Sequence, residues 1–211
     1  MIVCPQGKPL LKNQHLIMEF NLDNIKPDVR CLNDMREVIY DKEWLKTAPN
    51  SELYYMYRGL KEENGLKYNI TVMPAKMLGK EFVKTKGHIH IGNYGETYTV
   101  LEGEAIYFMQ KTKDRIVEDV CAVKARKGES VIIPPLYGHI TINPSKENLK
   151  TGDWSSQNCK SSYSLFEKLN GACYYYTQKG WVKNENYENI PQIRFEKPLK
   201  SLPKDLSFLK G

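Results

Sequence analysis

The chain is expected to fold as a mainly β protein, an antiparallel sandwich or barrel built as a single domain. Three observations carry this. Six runs, LYYMYR, KYNITVMPAKML, ETYTVLEG, EAIYFMQ, VEDVCAVKA and ESVIIPP, are of strand length and rich in Val, Ile, Thr and Tyr. The segments between them, EENG, GNYG, EG, KTKD and RKG, are turn material. No long helical pattern lies among these runs, so the crossover helices of a parallel sheet are missing. A length of 211 residues suits one well-packed core and is short for two.

Taken in order, residues 1–50 read as an N-terminal arm followed by short helices. The first 32 residues form short extended pieces interrupted by Pro5, Pro9 and Pro27. NDMREVIYDKEWLKT then reads as two helical turns, with Asn33 and Asp41 at capping positions. Residues 51–180 supply the barrel. Within them the polar stretch from Asn143 to Asn158, NPSKENLKTGDWSSQN, reads as a loop, and SYSLFEKL with GACYYYTQKGW as a closing hairpin. Residues 181–211 form a tail punctuated by Pro191, Pro198 and Pro203, expected to wrap the outside or reach a partner chain.

The formal net charge is +6, but the lysines are spread along the chain, as on a solvated surface. No nucleic-acid partner is expected; a small phosphorylated ligand fits the same excess. The five cysteines (Cys4, Cys31, Cys121, Cys159 and Cys173) are odd in number and form no CxxC, which fits a reduced, cytoplasmic protein. No apolar run approaches the roughly 18 residues of a membrane span. The opening MIVCPQGKPLLKNQHLIMEF lacks the layout of a signal peptide.

Chemistry is concentrated in TKGHIHIGNYGETYTVLEG. Only four histidines occur in the chain; two of them, His88 and His90, sit here, and His139 follows in IIPPLYGHITIN. In a strand, positions i and i+2 share a face, so His88 and His90 project together, as do Glu96 and Tyr98. The GNYG turn brings Glu96 back beside the histidine pair, and His139 can complete the set. An isolated HxH is ordinarily just a half-buried strand pair. The ordered series of HxH, Glu, Gly103 and PP…H points instead to one divalent metal ion, with Fe²⁺, Mn²⁺, Ni²⁺ and Zn²⁺ all suited to three imidazoles and a carboxylate.

At these residues the sequence resembles a known family. TKGHIHIGNYGETY…LEGE and GESVIIPPLYGHITIN are similar to the two motifs of the cupin superfamily, whose fold is a double-stranded β-helix or jelly-roll barrel. The approach NITVMPAKMLGKEFVKTKGHIH resembles, more narrowly, the cupin-type glucose-6-phosphate isomerases known chiefly from archaea. The likeness runs from about Val29 to Asn143. It implies that His88, His90, Glu96 and His139 are the metal ligands, with Fe²⁺ the first candidate. It implies further that Thr71, Thr85 and Gly87 bind the phosphate of a hexose phosphate, and that Tyr54, Tyr98 and Tyr175 assist. Thr71 and Thr85 also read as ordinary strand threonines, and Tyr175 equally as barrel lining. One departure is visible. The histidine and tyrosine that the family carries after its last strand correspond here to KNENYENI, where Tyr187 stands for the tyrosine and Glu185 or Asn186 replaces the histidine.

The implied reaction interconverts glucose 6-phosphate and fructose 6-phosphate in glycolysis and gluconeogenesis, moving hydrogen between C1 and C2. A metal polarising the two oxygens suits Glu96 as proton shuttle and Tyr175 or Tyr98 as donor to a substrate oxygen. A hydride shift would leave Glu96 purely a ligand. Two other readings stand beside this one. The first is a different metal-dependent cupin enzyme, either another phosphosugar isomerase or a dioxygenase, although a dioxygenase has no use for a phosphate set. The second is a non-catalytic sugar-binding cupin. The family commonly forms homodimers, and residues 1–25 are expected to cover or exchange with a partner.

Overall fold

The computed structural model describes residues 20–211. The arm before Phe20, and with it most of the segment expected to meet a partner, lies outside the described residues. β1 (Asp28–Cys31) opens a sheet, followed by a 3₁₀ turn (Leu32–Val38) and the single-turn helix α1 (Lys42–Leu45). Asp41 caps α1 as expected, accepting from the Trp44 N–H at 3.1 Å. Asn33 instead lies inside the 3₁₀ turn; there the capping carboxylate is Asp34, which accepts the Cys31 N–H at 2.9 Å.

β2 (Glu52–Glu63) and β3 (Leu66–Met73) form a hairpin across Asn64-Gly65, a two-residue turn in which Asn64 has φ 52°. Pro74 ends β3, so KYNITVMPAKML is split and β4 (Met77–Leu78) pairs only with β5 (Glu81–Phe82). The histidine strand β6 (Ile89–Ile91) follows. Then come β7 (Glu96–Glu102), β8 (Glu104–Lys113), β9 (Ile116–Arg126), β10 (Ser130–Ile133) and β11 (Gly138–Ile142), close to their expected limits.

The expected loop from Asn143 to Asn158 is largely a strand. β12 (Leu149–Ser156) inserts between β3 and β7, giving a six-stranded sheet in the order β1-β2-β3-β12-β7-β10. Its apolar Trp154 faces outward against Tyr68, under the buried Leu209 of the tail, while Thr151, Asp153 and Ser155 lie on the opposite face. A strand whose inner face is polar does not show the usual apolar stripe. Gly152 permits this packing, because a Cβ there would lie 1.9 Å from the Tyr68 hydroxyl oxygen.

β13 (Lys160–Ser162) pairs with β6. SYSLFEKL does not make half of a hairpin; it becomes the short helix α2 (Ser164–Lys168), burying Phe166. GACYYYTQKGW forms a hairpin by itself, β14 (Tyr174–Thr177) with β15 (Gly180–Lys183). β16 (Arg194–Glu196) adds to the second sheet, β11-β8-β9-β16. The Leu199 N–H and C=O exchange bonds of 2.8 and 2.9 Å with Ser130, so the tail wraps the outside. Between the two sheets lie Tyr98, Val100, Tyr107, Met109 and Val131, while the other face of the second sheet buries Phe108 against Tyr174 and Trp181, and Ile140 near Phe166. The result is the mainly β cupin barrel. Among the described residues no helix is long and apolar enough to cross a membrane.

One ion pair is sunk in this framework. Lys84 Nζ lies 2.6 Å from Glu81 Oε2, with the two side chains 2 % and 0 % exposed. Glu81 Oε1 also accepts the Tyr40 N–H, and the ammonium sits 4.9 Å from the Tyr175 ring centroid. Glu81→Ala leaves that ammonium buried without its counter-charge and is expected to cost about 3–5 kcal/mol, whereas Glu81→Leu with Lys84→Met stays near wild type. Urea melts of the three proteins check this; an unchanged Glu81→Ala midpoint would refute it.

Candidate active site

His88 and His139 face one another across adjacent strands and exchange backbone hydrogen bonds, His88 N–H to O at 3.2 Å and His139 N–H to O at 3.0 Å. This bridge joins the segment before β6 to β11. Above it, the Thr85 N–H donates to Thr141 O at 2.9 Å, extending the pairing. The expected histidine pair, Glu96 and His139 do come together. Glu96 Oε2 lies 3.0 Å from His139 Nε2, 3.5 Å from His90 Nε2 and 3.8 Å from His88 Nε2, and the two latter nitrogens are 3.1 Å apart.

Glu96 Oε2 is buried, yet no hydrogen bond of good geometry reaches it; its neighbours surround it without pointing an N–H along its lone pairs. Lone pairs gathered around one point are what a cation needs, and ligand atoms of His88, Glu96 and His139 all lie within 4.8 Å of one another. Burial, with the charge of neighbouring imidazoles, lowers the pKa of His88. Burial also lowers that of His90. For Glu96, burial pulls upward, but the His139 imidazole 3.0 Å away, then the charges of His90 and His88, outweigh it and hold the carboxyl well below its usual range. Neutral imidazole and ionised carboxylate are the forms that ligate a metal. The residues fit the ion.

Thr71, Thr85, Gly87, Tyr54 and Tyr98 line the same pocket. Gly87 has φ +86°, and a Cβ there would lie 2.6 Å from Ile140 and 2.9 Å from Phe166, so no side chain fits. Thr85 Oγ1 accepts the Thr141 N–H at 2.9 Å, leaving its own hydroxyl hydrogen to donate into the pocket. The Tyr54 hydroxyl accepts the Lys86 N–H at 3.2 Å, tying β2 to this turn. The Tyr98 hydroxyl is 3.2 Å from His139 Nε2.

Two expected residues are not brought to the site. Tyr175 is not among the lining residues; it donates to Asn170 O at 2.5 Å and packs on Tyr40. Tyr187 is a core residue that donates to Gly171 O at 2.8 Å. Neither Glu185 nor Asn186, which stand where the histidine was expected, is among the residues lining the pocket; Asn186 Nδ2 donates to Asn184 Oδ1 at 2.9 Å. A further tyrosine lines it near the histidines, Tyr163, whose ring is 5.8 Å from that of His88. The reading of 143–158 as a loop hid the other wall. Asp153 and Ser155 of β12 line it with Asn69 of β3, and Asn69 Nδ2 donates to Asp153 Oδ2 at 2.6 Å. Burial, then the charge of Glu96, raises the Asp153 pKa well above the usual carboxylate range.

A family model described as glucose-6-phosphate isomerase (GPI) matches residues 29–192. The chain belongs to the glucose-6-phosphate isomerase family. Its curated relatives are of the cupin-type archaeal form that the motifs resemble. It is 30 % identical over 128 residues to glucose-6-phosphate isomerase of Thermococcus litoralis, covering 58 % of this chain and 65 % of that protein. It is 30 % identical over 132 residues to the enzyme of Pyrococcus furiosus, covering 60 % and 68 %. The chain thus spans about two thirds of the length of the curated relatives it matches. A solved oxalate oxidase with bound glycolate is a more distant likeness, with a TM-score of 0.42, 18 % identity and coverage of 56 % and 57 %.

The two tyrosines separate structure from site. Tyr187→Phe leaves Gly171 O without its partner and is expected to cost about 1 kcal/mol. Tyr163→Phe removes a hydroxyl with no hydrogen-bond partner among the described residues and leaves stability unchanged. Paired thermal melts test this, and equal losses in both variants would contradict it.

Proposed function

We propose that the protein is a metal-dependent aldose–ketose isomerase interconverting glucose 6-phosphate and fructose 6-phosphate. The observation that carries this is the buried, hydrogen-bond-free Glu96 Oε2 facing three imidazole nitrogens, in the pocket that Thr71, Thr85 and Gly87 also line. His88, His90, Glu96 and His139 would hold one divalent ion per chain, Fe²⁺ by the family resemblance. Bound there, the ion supplies Lewis-acid polarisation of the sugar C1 and C2 oxygens.

The chain's own groups do the rest. The hydroxyls of Thr71 and Thr85, with the Gly87 N–H, form convergent donors for the phosphate and anchor the unreactive end. Holding that end places C1 and C2 against Glu96, so that the reacting atoms meet without a search. Glu96 is ionised and takes the proton from one carbon and returns it to the other on the same face. With Tyr175 out of reach, Tyr98 at the imidazole end becomes the donor to a substrate oxygen. By the same family resemblance the protein works as a homodimer in the cytoplasm; light scattering at 24.5 kDa, the mass of one chain, would refute the dimer.

Conversion of fructose 6-phosphate is expected to fall at least about 100-fold in EDTA and in His139→Ala, with Fe²⁺ or Mn²⁺ restoring only the chelated wild type. Turnover that persists after removal of all metal would refute the reading.

A further inference from the structure

The pocket wall is laid out in rows by strand register. Opposite one another across β3, β12 and β7 stand Lys67, Ser155 and Glu96; two residues further along stand Asn69, Asp153 and Tyr98; two further again, Thr71 faces Thr151. Positions two apart share a face, so successive rows lie about 7 Å apart along the strands. On the isomerase reading, on which this inference rests, the row of Glu96 is the reacting end and that of Thr71 the phosphate end. The row between them therefore meets the middle of the substrate.

That middle row is built and oriented. A bulge in β2, where the register shifts between Tyr57 and Lys61, leaves the Gly59 N–H without a ladder partner, and Asn69 Oδ1 accepts it at 2.9 Å. This fixes the amide, whose Nδ2 then donates to Asp153 Oδ2 at 2.6 Å. Asp153 is only 5 % exposed; Asn69 is its one hydrogen-bond donor among the described residues, and the other group set against its carboxyl is the acidic Glu96. Burying a carboxyl against polar neighbours is costly unless its bonding capacity is used. A bound hydroxyl group would use it.

We propose that Asp153, held in place by Asn69, hydrogen-bonds a mid-chain hydroxyl of the open-chain sugar phosphate and selects polyhydroxylated substrates over deoxy ones. Asp153 is thus a specificity-determining residue and Asn69 its positioning residue. A site built to bond a hydroxyl rejects the analogue lacking it strongly, because its own polar group is left unpaired.

The test compares fructose 6-phosphate with its 3-deoxy and 4-deoxy analogues on wild type, Asp153→Ala, Asp153→Asn and Asn69→Ala, with metal content and melting temperature followed in each. Wild type is expected to favour the parent over one analogue by at least about 100-fold in kcat/KM. Asp153→Ala should shrink that preference to within about 5-fold, mainly through KM and with metal content unchanged, and Asn69→Ala should shrink it in part. Should Asp153→Ala not fold, the same-shaped Asp153→Asn replaces it, with a preference reduced at least about 10-fold. A wild type that does not discriminate, or variants that slow parent and analogue equally, would overturn the proposal. Calorimetric binding of the unreactive glucitol 6-phosphate and its deoxy forms separates the two readings. Without turnover, an Asp153-dependent binding preference keeps this inference while the isomerase reading falls; no preference overturns it.

Discussion

The two backbone hydrogen bonds between His88 and His139 are the constraint on which the site depends. They extend the second sheet beyond β11 and, by the same act, set two imidazoles side by side. Their ring centroids stand 4.4 Å apart, and the Glu96 carboxylate reaches them from the facing sheet. The alternation of side chains in a strand then fixes the remainder: His90 must follow His88 inward, and Tyr98 must follow Glu96. A one-residue slip at this bridge would turn His139 out of the pocket and replace it by Gly138 or Ile140.

Such a site stands only because the barrel is stable around it. Four candidate ligand groups, with Asp153 and Asn69, occupy interior positions that would otherwise be apolar. The core between the sheets is therefore supplemented by a second cluster on the outside of the six-stranded sheet, where Tyr68, Trp154 and Leu101 pack beneath Leu209. The tail thus contributes buried apolar area to the strands that carry the polar wall.

The pocket has a direction. Donors suited to an anion (Thr71, Thr85 and the Gly87 N–H) line one part and the cation-suited set another, with a hydrogen-bonding row on the wall between. This order suits an elongated, polar ligand with an anionic end, in keeping with membership of the glucose-6-phosphate isomerase family. Asp153, Ser155 and Tyr163 belong to that pocket as much as the residues that the motifs announce.

The sequence by itself determined the barrel strands from Glu52 to Ile142, the capping role of Asp41 and the four candidate metal ligands. Each depends on local rules: alternation in strands, turn chemistry, and an ordered set of rare histidines. Tertiary structure alone decided the strand β12 and the helix α2. β12 was illegible because beyond Leu149 its inner face is polar and its other large apolar side chain, Trp154, points outward to a cover supplied some fifty residues later by Leu209. Nor could the sequence say which tyrosines face the pocket. Tyr163, Tyr175 and Tyr187 all stand in similar surroundings, but helix α2 and the β14–β15 hairpin turn the first toward His88 and the other two inward. Periodicity tells which residues share a face; only packing tells what that face meets.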